Sequence, residues 1–307
     1  MIDTSPSVPQ RHLEQLIERA RALESIRVAV VDAGERHVLQ GVMEAEAAGL
    51  VESVLIGNSE QIERLCEELG LNRSGHRVVS TDSEAESAQR GVDLVKEGKA
   101  DALAKGWIHT DALMHPVLAE LRTGKRVSHV FVTELASYPK LLFITDAAIN
   151  IAPDLAAKAA IVQNAVDLAR LLGVETPRVA ALSAVEVVKP AIASTIDAAC
   201  LSKMAQRRQI RHAIVDGPLA FDNAISREAA ETKQIESDVS GRVDVLLAPD
   251  LNAANILAKD LEYLAGATLA GIVIGTAVPI MLPSRSDPAL ARLVSAAIAV
   301  LWHHARQ

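Results

Sequence analysis

RVAVVDAG, residues 27–34, is the stretch whose reading decides the fold. It is a continuous apolar run that stops at Asp-Ala-Gly. An exposed strand would alternate, whereas a continuous run suits a parallel strand covered on both faces. SVLIGN (53–58), RVVST (77–81) and ADALAKG (100–106) repeat the pattern, each followed by a helix-like segment. That rhythm predicts βαβ units and an α/β fold.

The rhythm changes in the middle of the chain. HVFVTEL (129–135) and KLLFITDAAI (140–149) are joined only by ASYP, which predicts an antiparallel pair. The alternation then resumes. A helix is expected at about 154–172, with Leu155, Ala159, Val162, Val166 and Ala169 on one face. RVAALSAVE (178–186), HAIVDG (212–217), DVLLAPD (244–250) and AGIVIG (270–275) are the further strands, with helices near 190–206 and 252–265. A last helix, about 288–304, repeats Leu290, Leu293, Val294, Ala297, Ile298 and Leu301 at helical spacing.

Composition bounds the function. The chain has 307 residues, half of them hydrophobic, enough for two core-sized units. A net charge of −8 and 2% aromatics disfavour nucleic acid as a partner. No apolar run approaches ~20 residues, and MIDTSPSVPQRHLEQL lacks a signal-peptide core, so no membrane is expected and the cytoplasm is the expected compartment. Cys66 and Cys200 stand far apart, which disfavours a disulfide framework or thiolate cluster. Walker A, G-x-G-x-x-G, G-x-S-x-G and H-E-x-x-H patterns are all missing. No metal site is expected, and His303-His304 reads as a solvated helix end.

Chemistry must then come from loops at strand ends, where α/β folds bind ligands. AKGWIHTDALMHP (104–116) offers Lys105, Gly106, His109 and Thr110; its plainer reading is a turn with Thr110 as N-cap. ITDAAINIAPDLAAK (144–158) offers Asp146, which could equally satisfy loop amides, and Asp154 as a cap. VDGPLAFDNAIS (215–226) offers Asp216, with Asp222 as an expected N-cap. LLAPDLNAANILAK (246–259) offers Asp250 and Asn255 at a helix N-terminus, where an anion is favoured. PIMLPSRSDP (279–288) is the most informative. An ordinary helix start accounts for Asp287 as N-cap and Pro288 at N1, but it leaves Arg285 opposing the helix dipole. A bound anion held by Ser284, Arg285 and the helix amides removes that conflict.

In order along the chain, these segments resemble the phosphate acetyltransferase and phosphate butyryltransferase family. The matching phrases are SHVFV, ITDAAINIAPDLAAK, AALSAVEVVKPAIASTIDAACLSKM, VDGPLAFDNAIS, LLAPDLNAANILAK, AGIVIGTAVPIML and SRSD, running from about residue 100 to the C-terminus. ITDAA-N-P and VDGPLAFDNA look nearer the butyryl branch. The resemblance implies reversible transfer of a short acyl group, acetyl or butyryl: acyl-CoA plus phosphate gives acyl phosphate plus CoA. It implies a two-domain α/β architecture like that of isocitrate and isopropylmalate dehydrogenases, with an interdomain active-site cleft. Domain I would be 1–130 plus 276–307, and domain II 131–275. It implies a homodimer without a tightly bound cofactor, CoA being a substrate.

On the same grounds Ser284, Arg285 and Asp287 are the expected catalytic residues. Lys105, Gly106, His109, Thr110, His115, Ser128, Asp146, Asp216, Asp250 and Asn255 are the expected substrate-, CoA- or phosphate-binding residues. Three departures stand out. Ala291 occupies the place where some acetyl-branch members carry an active-site acid. His115 replaces a frequent Arg, and Ala254-Asn255 replaces a common Gly-Asn. Phosphate would attack the thioester while Arg285 and the Ser286–Asp287 amides compensate charge and Ser284 donates to the oxyanion or the sulfur. Asp287 is either a base for the CoA thiol or a support for Arg285.

Two other readings are open from sequence. One is a CoA-binding or regulatory module without turnover, suggested by His115 and Ala254. The other is a metal-dependent dehydrogenase-like enzyme on the same architecture, using Asp216, Asp222 and Asp250. Relatives of this type also occur joined to an enoyl-CoA hydratase domain, which these 307 residues do not contain.

Overall fold

The computed structural model describes residues 12–70, 77–284 and 287–306. Arg285 and Ser286 therefore lie outside the described residues. The chain divides into two compact units. Unit I comprises Leu16–Val127 and Ala270–Gln307; unit II comprises Ser128–Leu269 with the stretch ending at Gln15.

Unit I is built on strands β1 (Ile26–Val31), β2 (Val51–Gly57), β3 (Arg77–Ser80), β4 (Ala102–Lys105), β10 (Thr268–Ile274) and β11 (Ile280–Met281). Their order is β3-β2-β1-β4-β11-β10. The first five are mutually parallel, and β10 runs antiparallel to β11. Val28, Ala29, Val30 and Val31 are all buried, as the unbroken apolar run of β1 requires when both faces are covered. The covering helices are α2 (Arg36–Ala47), α3 (Ser59–Glu68), α4 (Glu84–Lys96), α5 (Thr110–Glu120) and α11 (Ala289–His304). The apolar stripe of α11 buries Val294, Ala297, Ile298 and Leu301, and the helix packs on α2 and β11.

Unit II has strands β5 (Ser128–Glu134), β6 (Leu142–Thr145), β7 (Arg178–Leu182), β8 (Ile214–Leu219) and β9 (Val245–Leu247), in the order β5-β6-β9-β7-β8. β5 and β6 pair antiparallel, as their short connection predicts, and the other pairs are parallel. Tyr138 in the connection donates its hydroxyl to the Val243 carbonyl at 2.7 Å, tying the turn to the body of the unit. Helices α6 (Leu155–Leu171), α7 (Ala193–Gln206), α8 (Phe221–Ile225), α9 (Arg227–Thr232) and α10 (Leu251–Ala265) complete it. One core cluster joins Leu142, Ile144, Ala180, Leu246 and Leu269.

Helix starts differ from expectation in three places. The N-cap of α5 is His109, so Thr110 is the first helical residue. α8 begins at Phe221, and Asp222, inside its first turn, forms an ion pair with Lys233 at 3.0 Å. Pro288 holds the N-cap position of α11, while Asp287 turns its carboxylate back to Ser284. The Asp222 and Asp287 carboxylates each have a partner other than the capping amide, and the spacing of residues does not show such rivals. Asp154 does cap α6, accepting from Ala157 at 2.7 Å.

Candidate functional site

In unit I the parallel register brings three strand ends level. Val31 pairs with Lys105, and Ala104 with Met281. The residues just beyond, Asp32, Gly106 and Ser284, therefore share the C-terminal edge of the sheet. Gly106 is demanded by the closeness of the chains there. A Cβ at 106 would stand 2.1 Å from the Asp32 carbonyl oxygen and 2.5 Å from that of Val31. In its absence the amides of Gly106 and Trp107 donate to Val31 and Asp32, each at 2.8 Å. Asp32 itself has a left-handed backbone, φ 61°. Burial raises its carboxyl pKa, the charge of Glu84 adds to this, and Lys105 opposes both.

After β11, Ser284 and Asp287 bond to each other. The Ser284 amide donates to Oδ2 of Asp287 at 2.7 Å, and the Asp287 amide donates to the Ser284 carbonyl at 3.1 Å. Ser284 is exposed and Asp287 partly so. Next to this pair, between α2, α11 and the sheet, lies a cleft of about 780 Å³ counted to its open mouth. Its lining is mainly apolar and includes Val28, Val30, Val42 and Met281, with Lys105 and Ser284 among its polar members. A slot of small aliphatic side chains beside hydroxyl, amine and carboxylate groups suits a ligand with one apolar and one charged end. His109 and His115 are exposed on α5 and its approach, and the His109 amide donates to Glu84 at 3.4 Å. Ala291, in the first turn of α11, is buried.

In unit II, β6 and β9 end side by side. Asp146, after β6, is buried and accepts from the amides of Ala148, Ile149 and Asn150 at 3.0, 3.0 and 3.2 Å. Its carboxylate thus organises the loop. Asp250, after β9, caps α10 through the Ala253 amide at 2.9 Å. Asn255, on the exposed side of α10, donates to the Ala147 carbonyl at 3.3 Å, linking the two strand-end loops. Asp216 lies within β8 and accepts from the Gly217 amide at 2.8 Å. Ser128 is fully buried, and its Oγ accepts from Asn164 at 2.8 Å. Ala254 is fully buried, clustered with Ala147 and Ala248. Among the described residues, no group of three or more His, Cys, Asp and Glu side chains is placed to hold a metal ion.

Sequence reasoning missed Asp32, Glu35 and Arg292. Asp32 could have been noticed, because it ends the first strand just before Ala-Gly. Glu35 caps α2 by accepting from the amides of His37 and Val38 at 2.8 and 3.1 Å. Arg292 left no signal, because its carboxylate partner, Glu44, lies 248 positions away in the chain.

An α/β chain with paired strand-end loops of this kind matches a family model described as phosphate acetyl/butaryl transferase over residues 83–300. The chain belongs to the phosphate acetyl/butyryl transferase family. It is 47% identical to a phosphate acetyltransferase of Rickettsia typhi over 293 residues, covering 94% of this chain and 84% of that one. It is 38% identical to a phosphate butyryltransferase of Clostridium acetobutylicum, over 95% of this chain and 98% of that one. The crystal structure of a branched-chain phosphotransacylase from Enterococcus faecalis V583 is similar with a TM-score of 0.80 at 31% identity, covering 91% of this chain and 99% of that one. The fold also resembles a 4-hydroxythreonine-4-phosphate dehydrogenase from Klebsiella pneumoniae, with a TM-score of 0.55 at 12% identity, covering 91% and 98%. The architecture is therefore dehydrogenase-like. No helix among the described residues is long and apolar enough to cross a membrane.

Proposed function

We propose that this chain is a phosphate acyltransferase, which moves a short acyl group reversibly between CoA and inorganic phosphate. The observation that carries the proposal is the closed Ser284–Asp287 turn beside Lys105 and an apolar slot, in a chain of this family. Ser284 lines the slot and offers its hydroxyl to an oxyanion. The slot supplies the dry surface that an acyl chain needs.

Phosphate near neutral pH is largely dianionic, so attack needs alignment and charge compensation more than a base. A phosphate oxygen bonds to the thioester carbon and the carbonyl becomes an oxyanion. The C–S bond then breaks, and CoA leaves as a thiolate that takes a proton from solvent. Lys105 and Arg285 supply positive charge, and Ser284 donates to the oxyanion or the sulfur. One preorganised donor of this kind contributes about 3–4 kcal/mol. Asp287 acts here as the support of the turn.

Gly106, His109, Thr110 and His115 are assigned to the binding surface of unit I, and Asp146, Asp216, Asp250 and Asn255 to that of unit II, the carboxylates chiefly as loop organisers. We take units I and II as the two domains. The chain is placed in the cytoplasm, where CoA and phosphate are found, and as a homodimer. Ile256, Tyr263 and Leu264 support the dimer, being 60%, 65% and 85% exposed at helical spacing on α10.

The test is thiol release from acetyl-, butyryl- and longer acyl-CoA with phosphate varied, beside Arg285→Ala. Phosphate-dependent release that the variant abolishes is expected. CoA binding without release from any acyl-CoA would sink the proposal and leave a binding module.

A further inference from the structure

Arg292 stands in the first turns of α11, and its side chain reaches back along the chain. Nη1 donates to the Asp287 carbonyl at 2.7 Å. Nη2 meets Oε2 of Glu44, on α2, at 3.2 Å. The guanidinium therefore ties the end of the Ser284–Asp287 turn to a helix 248 positions away in sequence.

The fit on α2 is close. Glu44 is three residues beyond Gly41, so the two share a helix face. A Cβ at 41 would stand 2.7 Å from Nε of Arg292 and 2.9 Å from its Cδ. Glycine is a poor residue for the middle of a helix, and α2 places one midway along Arg36–Ala47. Its lack of a side chain opens a notch through which the Arg292 side chain passes. A methyl in the notch would press on Nε and Cδ of Arg292 and displace the side chain.

We infer that Arg292 is a positioning residue for acyl transfer: seated in the Gly41–Glu44 notch of α2, it fixes Asp287, whose carboxylate in turn holds the Ser284 amide. This rests on the acyl-transfer reading above. Arg292 acts through Asp287 on the backbone of Ser284, which carries the donor hydroxyl. A donor displaced by about 1 Å costs on the order of a hundredfold in rate, so a tether of this kind matters to turnover more than to substrate affinity.

The test uses Gly41→Ala, Arg292→Met, Arg292→Lys and the Gly41→Ala/Arg292→Met double variant of the full chain. Three properties are read: kcat and KM for phosphate-dependent thiol release, Tm, and hydrogen exchange of the amides of Ser284 and Asp287. Gly41→Ala improves helix propensity, so its Tm stays level or rises, while its methyl displaces Arg292. Its kcat falls by about tenfold to a hundredfold with KM little changed, and exchange at Ser284 and Asp287 quickens. Arg292→Met does the same, Arg292→Lys recovers part of the loss, and the double variant is no worse than Arg292→Met. Wild-type kcat and exchange in Gly41→Ala would overturn the inference, as would a Gly41→Ala effect that persists undiminished beside Arg292→Met. Absence of thiol release from the wild type would overturn the acyl-transfer reading instead. The exchange comparison would then still decide whether Arg292 holds the turn.

Discussion

The backbone amide of Ser284 donates to Oδ2 of Asp287 at 2.7 Å, and the amide of Asp287 returns a bond to the Ser284 carbonyl at 3.1 Å. The carboxylate thus serves as an acceptor inside the turn. An asparagine offers an acceptor oxygen in the same place without the basicity. Asp287→Asn is expected to keep kcat within about tenfold of wild type, while Asp287→Ala loses about a hundredfold. Thiol release at saturating acyl-CoA and phosphate makes the comparison. If the two variants were equally damaged, the carboxylate would be working as a base.

Val42 lines the slot from α2, and Val28, Val30 and Met281 line it from the sheet. A phenylalanine at 42 would fill the space that a chain longer than acetyl requires. Each methylene is worth ~1–3 kcal/mol in such a pocket. Val42→Phe is therefore expected to lower kcat/KM for butyryl-CoA by about tenfold or more, and to leave acetyl-CoA within about threefold. An equal drop for both substrates, with an unchanged Tm, would remove the slot as the acyl site.

His129 is buried on β5, its ring edge-on to Phe131 at 4.4 Å between centroids. Burial pushes its pKa down from the ordinary 6.5 to about 4, and the charge of Asp146 opposes that shift. In the unfolded chain the imidazole takes a proton as pH falls through 6.5; in the folded chain it stays neutral until about 4. The unfolded state binds more protons in that window, so stability declines as pH falls across it. The decline from this group is about 3 kcal/mol. Urea unfolding from above pH 6.5 down to about 4 should show it, and His129→Asn should flatten the curve. Parallel curves for the two proteins would mean that His129 titrates alike in both states.

Much of the fold was legible in the sequence because strand and helix patterns are local. RVAVVDAG reads as a covered strand from its own apolar run, and β1 occupies Ile26–Val31. The β5–β6 pair follows from a connection too short for a crossover. The site was legible only as segments. Asp146, Asp250 and Ser284 were recognisable as strand-end residues, but the same residue types satisfy amides and cap helices. Which task each performs depends on neighbours that spacing does not reveal: Asp146 organises its loop, Asp250 caps α10, and Asp287 closes a turn where a cap was expected.

By itself the sequence determined the α/β class, the order of the elements and the family, since these rest on periodicity and on contiguous phrases. Tertiary structure alone decided that α11 packs against α2, that Ser128 and Ala254 are packed inside, and that Gly41 makes room for Arg292. The physical reason is range. Apolar periodicity is set by backbone geometry over a few residues, whereas an ion pair between Glu44 and Arg292 exists only after chain segments 248 residues apart have been brought together.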